Sequence, residues 1–254
     1  MTAPLNAVIT GGSRGIGAAT ATLLAEQGVR RIIINGRNAE QGERARGEIA
    51  SRAPGASIAF VAADVSHGEG ADELFRAVST LLDEPLAVLV NCGGGDFAPE
   101  LFHQIPREQI DEMLRHWLST RIHCCRAALP LMTKGSAIIN VASDAAKVPT
   151  PGETVIGAAM AGIAMFSRTL ALEVKRQGIR VNVVTPSIVE GSRLRARIAA
   201  GGFGAKLFER ASAAAHLGVA TERDVAEVIA FLASDRAARV TGQVISINGG
   251  ISAG

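Results

Sequence analysis

Apolar positions fall into short continuous runs that alternate with longer segments of helical period. Seven runs predict strands: Leu5 to Thr10, Arg31 to Asn35, Ile58 to Ala62, Leu86 to Val90, Ala137 to Val141, Arg180 to Thr185 and Gln243 to Ile247. Ile32-Ile33-Ile34 shows their character: β-branched and without polar alternation, as in strands buried on both faces. Between them the pattern predicts helices over Ala18 to Gln27, Asn38 to Arg52, Glu69 to Leu82, Arg107 to Met132, Val155 to Gln177 and Thr221 to Ala233. Gly28 and Gly178 stop two of these helices, and Pro106 opens the long one. Strands alternating with helices through right-handed crossovers give an α/β fold, doubly wound, with a parallel seven-stranded sheet covered by helices on both faces. Nothing interrupts the pattern, so residues 1–254 are expected to form one domain. Ligands of such folds bind beyond the carboxyl ends of the strands. The weakly patterned, Ala/Gly-rich segment 193–216 follows one such end and is expected to be a substrate lid.

Composition narrows the function classes. An apolar share of 48% in 254 residues excludes disorder and supports a full core. A net charge of +2 with scattered cations argues against nucleic acid as the main ligand. The purely apolar runs are too short for a membrane span, and MTAPLNAVIT lacks the basic start and apolar stretch of a signal peptide. Cys92, Cys124 and Cys125 form neither a disulfide framework nor a zinc spacing, so no metal is expected and the compartment is read as reducing and cytoplasmic. The chain contains no Tyr at all.

The first strand runs into Thr10-Gly11-Gly12-Ser13-Arg14-Gly15-Ile16-Gly17, spaced Gly-x-x-x-Gly-x-Gly. Such glycines let a backbone approach a pyrophosphate closely, and the following helix N-terminus supplies N–H donors and positive potential. The spacing is not the GxGxxG dinucleotide fingerprint. Further along stand Asp64-Val65 after the third strand, Asn91-Cys92-Gly93-Gly94 after the fourth, Ser143 after the fifth and Pro186-Ser187 after the sixth. Thr241-Gly242-Gln243 and Asn248-Gly249-Gly250 close the series.

In this order and spacing the chain resembles the short-chain dehydrogenase/reductase family over essentially its whole length. The resemblance implies a Rossmann-type nicotinamide-dinucleotide fold. It implies that Gly11, Ser13, Arg14, Gly15, Ile16 and Gly17 cradle the cofactor, that Asp64 and Val65 flank its adenine, and that Asn91 steadies the central strand. It also implies that Gly93, Pro186 and Ile188 lie along the cofactor, with Ser192 standing in for the family's Thr at the nicotinamide amide, one place late. Ser187 replaces the family's Gly.

The second strand ends Asn35-Gly36-Arg37, with no acid for a ribose 2′-OH. Arg37, with Arg14 as a second cation, suits a 2′-phosphate, since guanidinium pairs with phosphate in two-pronged geometry. NADP(H) is therefore expected over NAD(H). The plainer reading of both arginines is a solvated surface.

The catalytic half departs from the family pattern. Ser143 matches the family's Ser, but Ile156 stands at its Tyr, Met160 at its Lys and Trp117 at its Asn. A tyrosine must be pulled toward neutral pKa by an adjacent cation, so that proton relay is absent. Ile156, Met160, Ile163, Ser167 and Leu170 recur at helical spacing, and Trp117 and Met160 read as core that fills the vacated volume. Asp144 and Lys147 follow Ser143 in the same loop. Glu153 has two readings. Thr150-Pro151-Gly152-Glu153 spells a capping box with Pro at the first helical position, or Glu153 faces the substrate. His116 and His123 read as helix-surface or subunit-contact groups, and Cys92 as a small filler rather than a reactive thiol.

These features predict an NADP(H)-dependent oxidoreductase acting on a small molecule, with the proton coming from water, Ser143 or a carboxylate such as Glu153. The alternatives are a catalytically silent NADP-binding sensor or assembly partner, and a non-redox lyase or hydrolase. The resemblance further implies a homodimer or homotetramer, built by pairing helices 107–132 and 155–177 across a two-fold axis.

Overall fold

The computed structural model describes residues 5–191 and 203–253. Seven parallel strands form the sheet: β1 (Asn6–Thr10), β2 (Arg31–Gly36), β3 (Ser57–Ala62), β4 (Leu86–Asn91), β5 (Met132–Val141), β6 (Arg180–Pro186) and, last in the chain, β9 (Val244–Ile247). Their order is β3-β2-β1-β4-β5-β6-β9, and every pairing is parallel. The order reverses between β1 and β4, which opens a crevice at their carboxyl ends.

Successive residues of each strand feed opposite faces. Ala7, Ile9, Ile32 and Ile34 join one core with α1 (Gly15–Glu26), α2 (Ala39–Arg52) and α8 (Glu222–Ala233). Val8, Ile33 and Leu89 join the other, under α3 (Gly68–Leu81), α5 (Thr120–Ala128) and α6 (Thr154–Val174). This is the doubly wound Rossmann architecture, and it explains why the strands read as unbroken apolar runs. Asn38 caps α2 by accepting from Gln41 N, and Thr221 and Asp224 form a capping box on α8. Gly178, at φ 74°, ends the helical run that Lys175–Gln177 extends from α6.

Three expectations about elements need correction. The predicted helix Arg107 to Met132 is an unbroken helical run to Leu131, but it changes pitch along its length. It comprises α4 (Arg107–Leu114), a wide π turn (Arg115–Ser119), α5 and a 3₁₀ turn (Leu129–Leu131). Met132 already begins β5, because Pro130 cannot continue the ladder of helical bonds. The segment read as patternless contains α7 (Phe203–Ala214), while residues 193–202 lie outside those described. A two-stranded ribbon, β7 (Val189–Glu190) with β8 (Ala220–Thr221), brackets α7.

The capping box predicted at Thr150–Glu153 is also absent. Helix α6 starts at Thr154, and Glu153 precedes it without making a side-chain cap. Thr150 Oγ1 donates to Val148 O instead, and Pro151 lies in a turn. Thr154–Gln177 is long and apolar enough to cross a membrane by length and composition alone. Half of it is buried, and Asn140 Nδ2 donates to Ser167 Oγ at 2.9 Å, pinning it to the sheet as the core helix.

Candidate active site

The crevice holds two connected hollows. The first is a groove of about 450 Å³ running along the carboxyl ends of β3, β2, β1, β4 and β5. Its floor is the glycine turn. A Cβ at Gly17 would lie 2.3 Å from Gly11 O, and one at Gly11, which sits at φ 63°, would lie 2.6 Å from Gly93. Only glycine permits that approach. No side chain caps α1, and its first turn carries no acid, so its N-terminus faces the groove with unclaimed N–H groups. This cradle fits a dinucleotide pyrophosphate.

Gly11, Ser13, Arg14, Gly15, Ile16, Gly17, Arg37, Asp64, Val65 and Gly93 all line the groove. At the β2 end, Asn35 is tied back to Val61 O and Ala63 O through Nδ2, leaving Gly36, Arg37 and Asn38 facing inward. The carboxylates lining the groove are Asp64 and Asp96. Burial alone would raise the Asp64 pKa, but hydrogen bonding from Ser66, with Arg37 nearby, holds it below its usual value. Arg14 Nη2 pairs with Asp96 Oδ2 at 3.1 Å across the mouth of the groove, a half-exposed pair of little net worth.

Asn91 is fully buried and does not reach the groove wall. It accepts from Thr10 Oγ1 at 3.2 Å and donates to Asn140 Oδ1 at 2.8 Å. With the Asn140–Ser167 bond and the Ser167 hydroxyl donating to Ile163 O, this chain runs from β1 through β4 and β5 into α6.

The second hollow, about 750 Å³, opens beyond β5 and β6 and is mostly apolar. Phe97, Ile156, Ile188, Leu207 and Phe208 contribute to its wall, and Pro186 and Ile188 line this hollow rather than the groove. Trp117, Met160, Val141 and Ala142 line both, so they mark the junction. Trp117, Ile156 and Met160 are buried to 6%, 7% and 6% exposure in one apolar cluster, with Phe97 edge-on to Trp117 at 5.2 Å. Ser192 lies outside the described residues.

Apolar surface dominates this hollow, but Arg14, Asp96, Ser143, Asp144, Glu153, Arg210 and Glu222 also line it, and burial raises the Glu222 carboxyl too. Ser143 Oγ accepts from Ala145 N at 3.3 Å, which leaves its hydroxyl hydrogen to donate. Glu153 lines the same space, and burial, against a hydrogen bond from Thr150 and with Asp144 adding to it, pushes its carboxyl above the ordinary value. Asp144 and Lys147 are engaged elsewhere. Asp144 accepts from Asn248 Nδ2 at 2.9 Å and from Ser252 Oγ, while Lys147 Nζ donates to Ser246 Oγ. They fasten the C-terminal tail. Cys92 is no nucleophile, since burial pushes its thiol up to about 12.

Two groups were missed by reading the sequence. His116, taken for a surface residue, lines the groove, and burial with nearby Arg37 pushes its imidazole below the ordinary value. It lies within the π turn, of which helical spacing gave no sign. Arg121, one turn after Trp117, is buried to 3% exposure and also lines the groove.

A family model described as enoyl-(acyl carrier protein) reductase matches residues 11–252. The chain belongs to the short-chain dehydrogenase/reductase family. It is 34% identical over 250 residues to the uncharacterized oxidoreductase YgfF of Escherichia coli (strain K12), covering 96% of this chain and 98% of that one. It is 33% identical to the 3-oxoacyl-[acyl-carrier-protein] reductase FabG of Chlamydia trachomatis, covering 97% and 96%. Among solved structures, a citronellol catabolism dehydrogenase (AtuB) of Pseudomonas aeruginosa superposes with TM-score 0.82 at 29% identity, covering 99% and 98%. A short-chain type dehydrogenase/reductase from Mycobacterium ulcerans gives 0.89 at 25% identity, covering 97% and 89%. Membership makes the chain an oxidoreductase by family and implies a nicotinamide cofactor for the groove.

Proposed function

We propose that the chain is an NADP(H)-dependent reductase of apolar carbonyl or enone compounds, in which a half-buried carboxylic acid does the work of the absent tyrosine. The observation that carries this reading is Glu153, a half-buried carboxyl group with raised pKa that lines the largely apolar hollow together with Ser143. A bound reduced nicotinamide supplies the hydride to a substrate carbon. The Ser143 hydroxyl donates a hydrogen bond to the substrate oxygen. Glu153, kept neutral by its surroundings, passes its proton to that oxygen as negative charge develops there, and is left as the carboxylate. Ile156, Met160 and Trp117 exclude water from the junction, and helix α7 contributes Leu207 and Phe208 to the wall of the hollow. The whole chain acts as one nucleotide-binding domain.

The cofactor preference rests on the β2 end of the groove. Arg37 and Gly36 stand where an acid would hold a 2′-hydroxyl, and Asn38 is committed to capping α2. A 2′-phosphate meets a guanidinium there rather than a carboxylate. Titrating NADPH and NADH by fluorescence tests this. NADPH should bind at least about tenfold more tightly, and Arg37→Gln should remove most of the difference while leaving NADH affinity unchanged. Equal affinities in the wild type would refute the assignment.

A catalytically silent cofactor-binding protein is the second reading, favoured by the buried Trp117–Met160 wall. The open hollow of about 750 Å³ beside that wall, with an acid inside it, supports turnover instead.

A further inference from the structure

Arg121 is the most unusual charged group among the described residues. Its side chain is 3% exposed, and its Nη1 donates to Trp117 O at 3.1 Å while Nη2 donates to Val141 O at 3.0 Å. Its Nε is buried with no hydrogen-bond partner. No carboxylate among the described residues pairs with it, and the groups acting on its charge are Cys92, Cys124 and Cys125. Burial pushes all three thiols up, so they stay protonated and neutralise nothing. Burial also lowers the guanidinium to about 10, which leaves it charged at neutral pH. An uncompensated buried cation is costly unless something else in the assembly meets it.

Arg121 lines the groove beside Trp117, Val141, Ala142 and Met160, which also line the hollow, and its guanidinium bonds to the carbonyls of two of them. A Cβ at Gly94 would come within 3.6 Å of Nη1, so only a glycine backbone screens it there. Hydride passes between cofactor and substrate where groove and hollow meet, so Arg121 stands at the nicotinamide end.

We infer that Arg121 is a positioning residue that makes this groove select the reduced cofactor over the oxidised one. The oxidised nicotinamide ring carries a positive charge, and the reduced ring is neutral. A fixed guanidinium nearby repels the first and tolerates the second. This rests on the reading that the groove binds a nicotinamide dinucleotide, and it adds a direction: the protein arms itself with reductant and releases the oxidised product.

The test is equilibrium binding of NADPH, NADP⁺ and adenosine 2′,5′-bisphosphate to wild type, Arg121→Lys and Arg121→Met. The wild type should hold NADPH at least about tenfold more tightly than NADP⁺, the scale of a unit-charge repulsion over several ångströms at the effective dielectric of a protein. Arg121→Lys should keep that ratio within about threefold, and Arg121→Met should collapse it toward one. The bisphosphate, which occupies only the adenosine end, should bind all three proteins alike. A merely structural arginine would weaken all three ligands together and leave the ratio unmoved, which would overturn the inference. So would a wild type that prefers NADP⁺, a result that stands even if Arg121→Met does not fold. If the wild type binds none of the three ligands, the cofactor reading itself falls.

Discussion

Glu153 shows how much one position depends on its surroundings. In sequence it looked like the last residue of a capping box, because Thr-x-x-Glu with an intervening proline is a helix-start signature. The chain turns three residues further than that, helix α6 begins at Thr154, and the carboxyl is left facing an apolar hollow. Its raised pKa has a consequence for stability. The folded state holds the proton more tightly than the unfolded chain, so the favourable contribution is complete below the ordinary carboxylate pKa and is lost as pH rises through the folded value. Glu153→Gln removes the cost of ionising there. The variant should melt at a higher temperature than wild type at pH 8, and the difference should vanish by pH 4. A variant less stable than wild type at pH 8 would show that the carboxylate is stabilised in place. Arg121 was invisible for a related reason. A lone arginine on a helix reads as a solvated residue, and only the packing of α5 under β5 reveals that it is buried with no acid beside it among the described residues.

At the scale of elements, legibility followed burial. Each of the seven sheet strands was readable to within a residue or so at most ends, because burial on both faces leaves an uninterrupted apolar run. The start of β5 was the exception, since Met132 to Gly135 is too polar to look like strand. The π turn at Arg115–Ser119 could not be read, because one extra residue per turn barely disturbs a helical pattern. It is held by side chains the pattern does not weigh: Thr120 Oγ1 donates to His116 O at 2.9 Å, and Arg121 to Trp117 O. Helix α6 poses a different problem, since its outer face keeps Met165 and Leu172 exposed to 60% and 64%. Unpaired apolar side chains on a helix otherwise bound to the core favour the two-fold pairing that the family resemblance implies. Sedimentation velocity should show a dimer or larger for wild type and a monomer for Met165→Glu/Leu172→Glu, with far-ultraviolet circular dichroism unchanged. A monomeric wild type at micromolar concentration would contradict this.

Taken whole, the molecule divides along the strand order. The half built on β1 to β4 carries a glycine cradle, a cationic β2 end and a long groove, all readable from motifs because backbone geometry there demands particular residues. The half built on β5 and β6 carries an apolar junction of Trp117, Ile156 and Met160, and the sequence offered water, Ser143 and Glu153 as proton sources without choosing among them, because burial and not a motif sets a carboxyl's pKa. The central claim is that this second half still transfers a proton, through Glu153. Stopped-flow absorbance at the reduced-nicotinamide band tests it, with NADPH and a panel of apolar ketones, quinones and enones between pH 5 and 9. The wild type should oxidise NADPH at a rate that falls as pH rises through one pKa above the ordinary carboxylate range, and Glu153→Gln should be slower by about 10²–10⁴-fold and flat with pH. A Gln variant as fast as wild type, or a wild type that oxidises nothing in the panel, would contradict the account.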